Sequence, residues 1–303
     1  MSQALVVDYL DAFYNYLNNE KRLSENSLDA YRRQLTAIFS KHPKLKLSQL
    51  DVQFVRLILS QAKLAQLKSA SIHLRLSALR SFCQYLVKKE ALPLNPADAV
   101  SAPKKDKRLP KNLDVDQVNQ LLDNSNNEVA LNLRDNAMLE LLYSSGLRLS
   151  ELINADIKHV KFDTKTFEVK FGKGGNDRVV PVTQTALDKI SDWLAIRPNY
   201  IKPNTDQALF ISTRGSRLSA RYVRERIRQA GVKTGLNVHL NPHKMRHSFA
   251  THMLESSQDL RAVQELLGHQ NLSTTQIYTH LDFEHLAKVY DQAHPRAKRK
   301  SDK

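Results

Sequence analysis

The chain holds a single cysteine, Cys83, in 303 residues. One thiol excludes an internal disulfide and suits a reducing compartment such as the cytoplasm. No apolar run approaches the roughly 20 residues that would span a bilayer. The opening stretch MSQALVVDYLDAF has acidic residues but no lysine or arginine, unlike a secretory leader. There is no internal repeat, and the one biased tract is a basic tail at 296–300. These absences set aside disulfide-stapled scaffolds, membrane proteins and solenoids.

What is present begins with length and charge. A chain this long exceeds one small core, and two domains are the natural expectation. Hydrophobic residues make up 41%, enough for packed cores. Lysine and arginine number 46 against 31 aspartates and glutamates, a formal net charge of +15. That excess favours a polyanionic partner, most commonly nucleic acid. Basic surfaces also occur on proteins that bind none, so charge alone leaves the matter open.

The first third reads as helices. Leu10, Phe13, Tyr14 and Leu17 fall at i, i+3, i+4 and i+7. Leu28, Tyr31, Leu35, Ile38 and Phe39 repeat the spacing after a polar entry at 24–27 suited to N-capping. A third stripe runs through Val52, Val55, Leu59 and Ala62, and a fourth through Ile72, Leu76, Leu79, Phe82, Cys83 and Leu86. The expectation is an all-helical bundle in which Cys83 is a small core residue. Lys63, Lys68, Arg75 and Arg80 lie on or near its last two helices. Residues 95–113 carry three prolines, no hydrophobic period and the basic run Lys104, Lys105, Lys107, Arg108 and Lys111. They read as a linker, either a solvated loop or a strap along phosphates. Beyond Val115 helices mix with a small strand region. Phe167, Val169 and Phe171 alternate, as do Val180 and Val182, and the glycine-rich 172–177 reads as a hairpin tip.

Taken singly, the polar fragments of this second part are weak. Arg148, flanked by leucines, must be paired or face a ligand, and Glu151 three residues on can orient it. A plain ion pair explains this equally well. Lys173 at a hairpin tip is by default solvated. Its glycines lack the P-loop spacing, with Gly174 where that motif has Ser or Thr. Pro242 opens a helix on which His243 and Arg246 share a side. A zinc pair of His243 and His247 is the rival, but Lys244 stands where a zinc-protease helix has its glutamate. Gly268 can end a helix in the left-handed conformation. A lone His269 or Tyr278 is ordinarily satisfied by its neighbours or part of a core.

Together they form a constellation of two arginines, a lysine, two histidines and a tyrosine, with no acidic metal cluster. Phosphoryl transfer without metal needs fixed cations on the nonbridging oxygens, a nucleophile and an acid for the leaving oxygen. The segments GLRLSEL from Gly146, GKGGNDRVVPV from Gly172, HKMRHSFATHML from His243 and LLGHQNLSTTQIYTH from Leu266 resemble the tyrosine recombinase (lambda-integrase-like) family, closest to its bacterial Xer subgroup. The resemblance extends to the N-terminal helices, and the catalytic pattern shows no departure. The linker and tail resemble one Xer branch more than the other, XerD.

The resemblance implies a mainly α fold with a small antiparallel β region. A helical core-binding domain over 1–105, a basic linker over 106–111 and a mixed catalytic domain over 112–303 would form a clamp on duplex DNA. It implies a metal-independent DNA strand transferase without cofactor, with catalytic residues Arg148, Lys173, His243, Arg246, His269 and Tyr278 and with Glu151 orienting Arg148. Its implied partners are a recombination site on DNA, an XerD-like recombinase in a heterotetramer and an FtsK-like septal DNA translocase. Its implied role is resolution of chromosome dimers. A mobile-element integrase would share the chemistry. A non-catalytic DNA-binding architectural protein would not need the full set of six, and a metal-dependent nuclease would reveal itself by chelator sensitivity. After the nucleophile, Phe283, Leu286, Ala287 and Tyr290 form one more stripe, which the resemblance suggests docks on a neighbouring subunit.

Overall fold

The computed structural model describes residues 4–21, 23–103, 112–123, 130–170, 177–203, 205, 207–236, 240–268 and 280–297. The chain divides into two units, Met1–Leu109 and Pro110–Lys303. No helix among the described residues is long and apolar enough to cross a membrane.

The first unit contains α1 (Leu10–Asn19), α2 (Glu25–Phe39), α3 (Val52–Leu64) and α4 (Ser69–Lys88). The apolar spacing accounts for them: Phe13, Leu17, Leu35, Phe39, Val55 and Leu79 fill one core. Ser24 caps α2 by accepting from the Ser27 amide, and Asp51 Oδ1 caps α3 by accepting from the Phe54 amide at 2.8 Å. On α4, Phe82 meets Phe13 edge-on at 5.2 Å between ring centroids and Phe39 at 5.6 Å. Cys83 beside it is fully buried, and desolvation pushes its thiol up to about 12.

The linker reading fails over the first part of its range. Arg80 Nε donates to Ala97 O at 3.1 Å and Nη2 to Val100 O at 2.5 Å, while Ala97 and Val100 are buried in this core. Two small apolar anchors and a guanidinium fork outweigh the proline-rich composition. The basic positions 104–111 lie outside the described residues.

The second unit runs α5 (Val115–Asp123), α6 (Ala130–Ser145), α7 (Leu149–Ile153), β1 (Val160–Lys161), β2 (Thr166–Val169), β3 (Arg178–Pro181), α8 (Gln184–Ile196), α9 (Ala220–Lys233), α10 (Pro242–Ser257), α11 (Leu260–Leu267) and α12 (His280–Ala293). The described residues are thus mainly helical with one small antiparallel sheet of order β1-β2-β3. In register, Phe167 pairs with Val160 and Val180, and Val169 with Arg178. Phe167, Val169 and Val180 are buried, whereas Val179 is 42% exposed. The same two-residue period puts Arg178 on the inward face, where it too is buried. Phe171 and the hairpin tip at 172–176 lie outside the described residues.

Helix α6 packs on α8, whose Trp193 is fully buried with Nε1 donating to Leu209 O at 2.8 Å. The buried Glu140 carboxylate of α6 is held by Lys189 Nζ at 3.0 Å and Arg296 Nε at 2.7 Å. In the single chain, the stripe of α12 packs within its own unit. Leu286 and Tyr290 are buried where α12 meets α10, and Tyr290 Oη donates to Ser144 O at 2.7 Å. His294 then stacks on the Tyr290 ring at 4.8 Å. A short amphipathic helix needs a surface to order against, and α10 with the end of α6 provides one within the chain. The Phe283 side chain lies outside the described residues.

Leu286→Asp is therefore expected to lower the melting temperature of the second unit. It forfeits packing worth about 2–5 kcal/mol in comparable leucine truncations and buries a carboxylate as well. Thermal denaturation checks this. An unchanged midpoint, with cooperative pairing on DNA lost, would instead assign the stripe to the docking role.

Candidate active site

The turn from α6 to α7 carries the first arginine. Gly146 adopts φ +59°, and a Cβ there would stand 2.5 Å from Phe249 Cδ1, so the turn requires glycine. Arg148 precedes α7 and its amide donates to Glu151 Oε2 at 2.8 Å, the carboxylate reaching back over the helix start. Arg148 Nη1 donates to Glu151 Oε1 at 3.0 Å, the i, i+3 pairing open to these residues in sequence. Arg148 keeps 39% of its side chain exposed while Glu151 is buried.

Two further arginines reach the same carboxylate. Arg178, from the inward face of β3, donates Nη1 to Oε1 and Nη2 to Oε2, each at 3.0 Å. Arg246 on α10 brings Nη1 to 4.0 Å from Oε2. Burial would raise the Glu151 carboxyl, but the hydrogen bonds and charge of Arg178, with the bonds of Arg148, outweigh it and hold the group below its ordinary value. Burial, then repulsion from Arg148, lowers Arg246 to about 10, which leaves it a cation at neutral pH.

The three guanidiniums also share the end of α11. Arg178 Nε donates to Leu266 O at 3.1 Å, Arg246 Nη2 to Leu267 O at 2.6 Å and Arg148 Nη2 to Gly268 O at 3.3 Å. The last carbonyls of a helix have no intrahelical partner and sit at the negative end of its dipole, so cations complement them. Gly268 closes α11 at φ +65°, as its place in the sequence suggested, and a Cβ would come within 3.1 Å of the Arg178 side chain.

Asn241 caps α10 and Pro242 occupies its first turn. His243 is exposed there, one turn before Arg246. Its ring lies 6.4 Å from that of His247, whose Nδ1 is 3.3 Å from Thr251 Oγ1. Among the described residues, no group of three or more His, Cys, Asp or Glu side chains is placed to hold a metal. The structure thus brings Arg148, Arg246 and Glu151 together and sets His243 on the helix of Arg246. Lys173, His269 and Tyr278 lie outside the described residues. Sequence reading missed Arg178, although its parity with Val180 placed an arginine on a core-facing edge, where it requires a buried partner.

The chain belongs to the phage integrase family, whose profile matches residues 111–285, with that of the phage integrase N-terminal SAM-like domain matching residues 10–90. It is a tyrosine recombinase, an enzyme of DNA strand exchange, and its similarity is to the XerC branch. It is 54% identical over 294 residues to the tyrosine recombinase XerC of Actinobacillus succinogenes, covering 96% of this chain and 98% of that one. To XerC of Mannheimia succiniciproducens the identity is 51%, with 96% and 99% covered. The fold is also that of the XerH site-specific recombinase solved on a palindromic difH substrate after cleavage, with TM-score 0.69, 23% identity, and 94% and 84% coverage.

The carboxylate makes an acid-dependence prediction. The Glu151 pKa lies below the unfolded value of about 4.3. Its contribution to stability is therefore complete above that value and is lost as pH falls through the folded one. Glu151→Gln should cost roughly 3 kcal/mol or more near pH 6, by stranding a buried guanidinium. The gap to the unsubstituted chain should narrow below about pH 4. Urea unfolding at the two pH values measures both, and a pH-independent gap would refute the assignment.

Proposed function

We propose that Arg148 and Arg246 grip the nonbridging oxygens of a scissile DNA phosphate while Tyr278 attacks it. The observation that carries this reading is the convergence of the two guanidiniums, from the entry of α7 and from α10, beside one buried carboxylate. Arginine forks match two phosphate oxygens, and preorganised donors of this kind are worth about a hundred- to a thousandfold in rate each. The Tyr278 hydroxyl oxygen bonds to phosphorus, the bond from phosphorus to the 5′ oxygen breaks, and Lys173 gives that oxygen its proton. A phenol with pKa about 10 is barely ionised at neutral pH, so His243 would take part in moving its proton. His269 would donate to the phosphate in the transition state. A 5′ hydroxyl of the partner strand then attacks the 3′-phosphotyrosyl bond and releases the tyrosine, so the phosphodiester is conserved without ATP or metal.

Similarity to XerC supports a place in a heterotetramer with an XerD-like recombinase. That assembly would act in the cytoplasm on chromosome dimers at cell division, under an FtsK-like translocase. The charge of +15 favours the DNA partner.

Tyr278→Phe is expected to bind a candidate site but form no SDS-stable protein–DNA adduct, and an adduct from that variant would move the nucleophile elsewhere. Lys173→Ala should be slow on ordinary DNA and recover where sulfur replaces the bridging 5′ oxygen, since that leaving group needs no proton. Equal impairment on both substrates would remove Lys173 from the acid role.

A further inference from the structure

A carboxylate next to a phosphate site poses a difficulty: it repels the substrate and competes for the cations. Glu151 is spared this by Arg178. An ionised carboxylate offers about four acceptor positions. Those of Glu151 take four hydrogen bonds, from the Arg148 amide, Arg148 Nη1, and Nη1 and Nη2 of Arg178. Arg246 stays at 4.0 Å, beyond hydrogen-bond reach, and its own donors go to the neutral carbonyls Gly146 O and Leu267 O. Arg178 is only 3% exposed and spends Nε on Leu266 O, so it is spent inside the protein.

We infer that Arg178 is a positioning residue for strand cleavage: by saturating Glu151 it keeps that carboxylate aligned on Arg148 and prevents it from capturing Arg246. The inference rests on the reading of Arg148 and Arg246 as the phosphate grip. Lysine cannot replace the fork, because an ammonium is a point donor and cannot engage both carboxylate oxygens and the Leu266 carbonyl in one plane. Without Arg178, two acceptor positions of Glu151 open, and Arg246 is the nearest further guanidinium among the described residues. A collapsed Glu151–Arg246 pair would turn a phosphate donor inward and cancel its charge.

The test is single-turnover cleavage of a half-site that traps the phosphotyrosyl product, at saturating DNA and at a temperature where each variant is folded. Arg178→Met is expected to slow cleavage by about a hundredfold, the scale of a lost oxyanion donor, while half-site affinity changes less than about threefold. Adding Glu151→Gln should restore much of the rate, because an amide still accepts from Arg148 and no longer attracts Arg246. A double variant no faster than Arg178→Met, or an Arg178→Met that cleaves at the unsubstituted rate, would overturn the proposal. Should Arg178→Met fail to fold, Arg178→Lys with and without Glu151→Gln gives the same comparison, with the same rescue expected. Arg148→Ala, assayed alongside, separates the two ideas: normal cleavage by that variant would defeat the phosphate-grip reading itself, whatever Arg178 does.

Discussion

One buried carboxylate surrounded by guanidiniums organises the second unit. An ion of this kind costs several kcal/mol to desolvate and is tolerated only if its acceptor positions are filled. For Glu151 the filling groups come from three places in the chain: the entry of α7, the inward edge of β3 and, at longer range, the second turn of α10. Each of those arginines then reaches one of three successive carbonyls at the end of α11. Sheet, helix entry and helix exit are thereby fixed to one another through polar groups that would be destabilising in any other arrangement. The chain continues from that exit into the segment bearing His269 and Tyr278, so the cations and the origin of that segment share one anchor.

Helix α6 plays the corresponding part on the apolar side. Its middle carries Glu140, neutralised by Lys189 and Arg296. Its end offers carbonyls that later elements take up: Ser144 O accepts from Tyr290 of α12, and Gly146 O, just beyond, accepts from Arg246. The packing of α12 and the placement of the second arginine therefore meet within a few residues of backbone. Burial reinforces the arrangement, since desolvation holds His294, stacked on Tyr290, at about 3 and so neutral.

Much of this was legible in the chain itself, for identifiable reasons. Helices of the first unit declare themselves because their stripes repeat at the helical period and Ser24 sits where a cap belongs. Pro242 and Gly268 mark a helix start and a helix end because their backbone chemistry suits little else there. Arg148 and Glu151 are legible as a pair because three residues is one helical turn. Arg178 was not, since its importance arises from tertiary convergence and only its parity on β3 hinted at burial. Composition misled at 95–100, which opens a proline-bearing stretch with a basic run further on, yet Ala97 and Val100 are small enough to pack in the core while Arg80 takes their carbonyls. The stripe of α12 was visible as a stripe, yet an amphipathic face does not say which surface covers it.

Cys83 lies fully buried on α4, and desolvation holds its thiol protonated far above neutrality. Thiolate, not thiol, is the reacting form, so this sulfur is closed to maleimides and mild oxidants while the unit stays folded. The native protein is therefore chemically silent toward cysteine labels. A single cysteine introduced at a solvent position such as Leu64, 83% exposed at the end of α3, would be the one addressable thiol. A fluorophore or spin probe could then be installed with every native sulfur left in place, and its signal would come from the first unit alone.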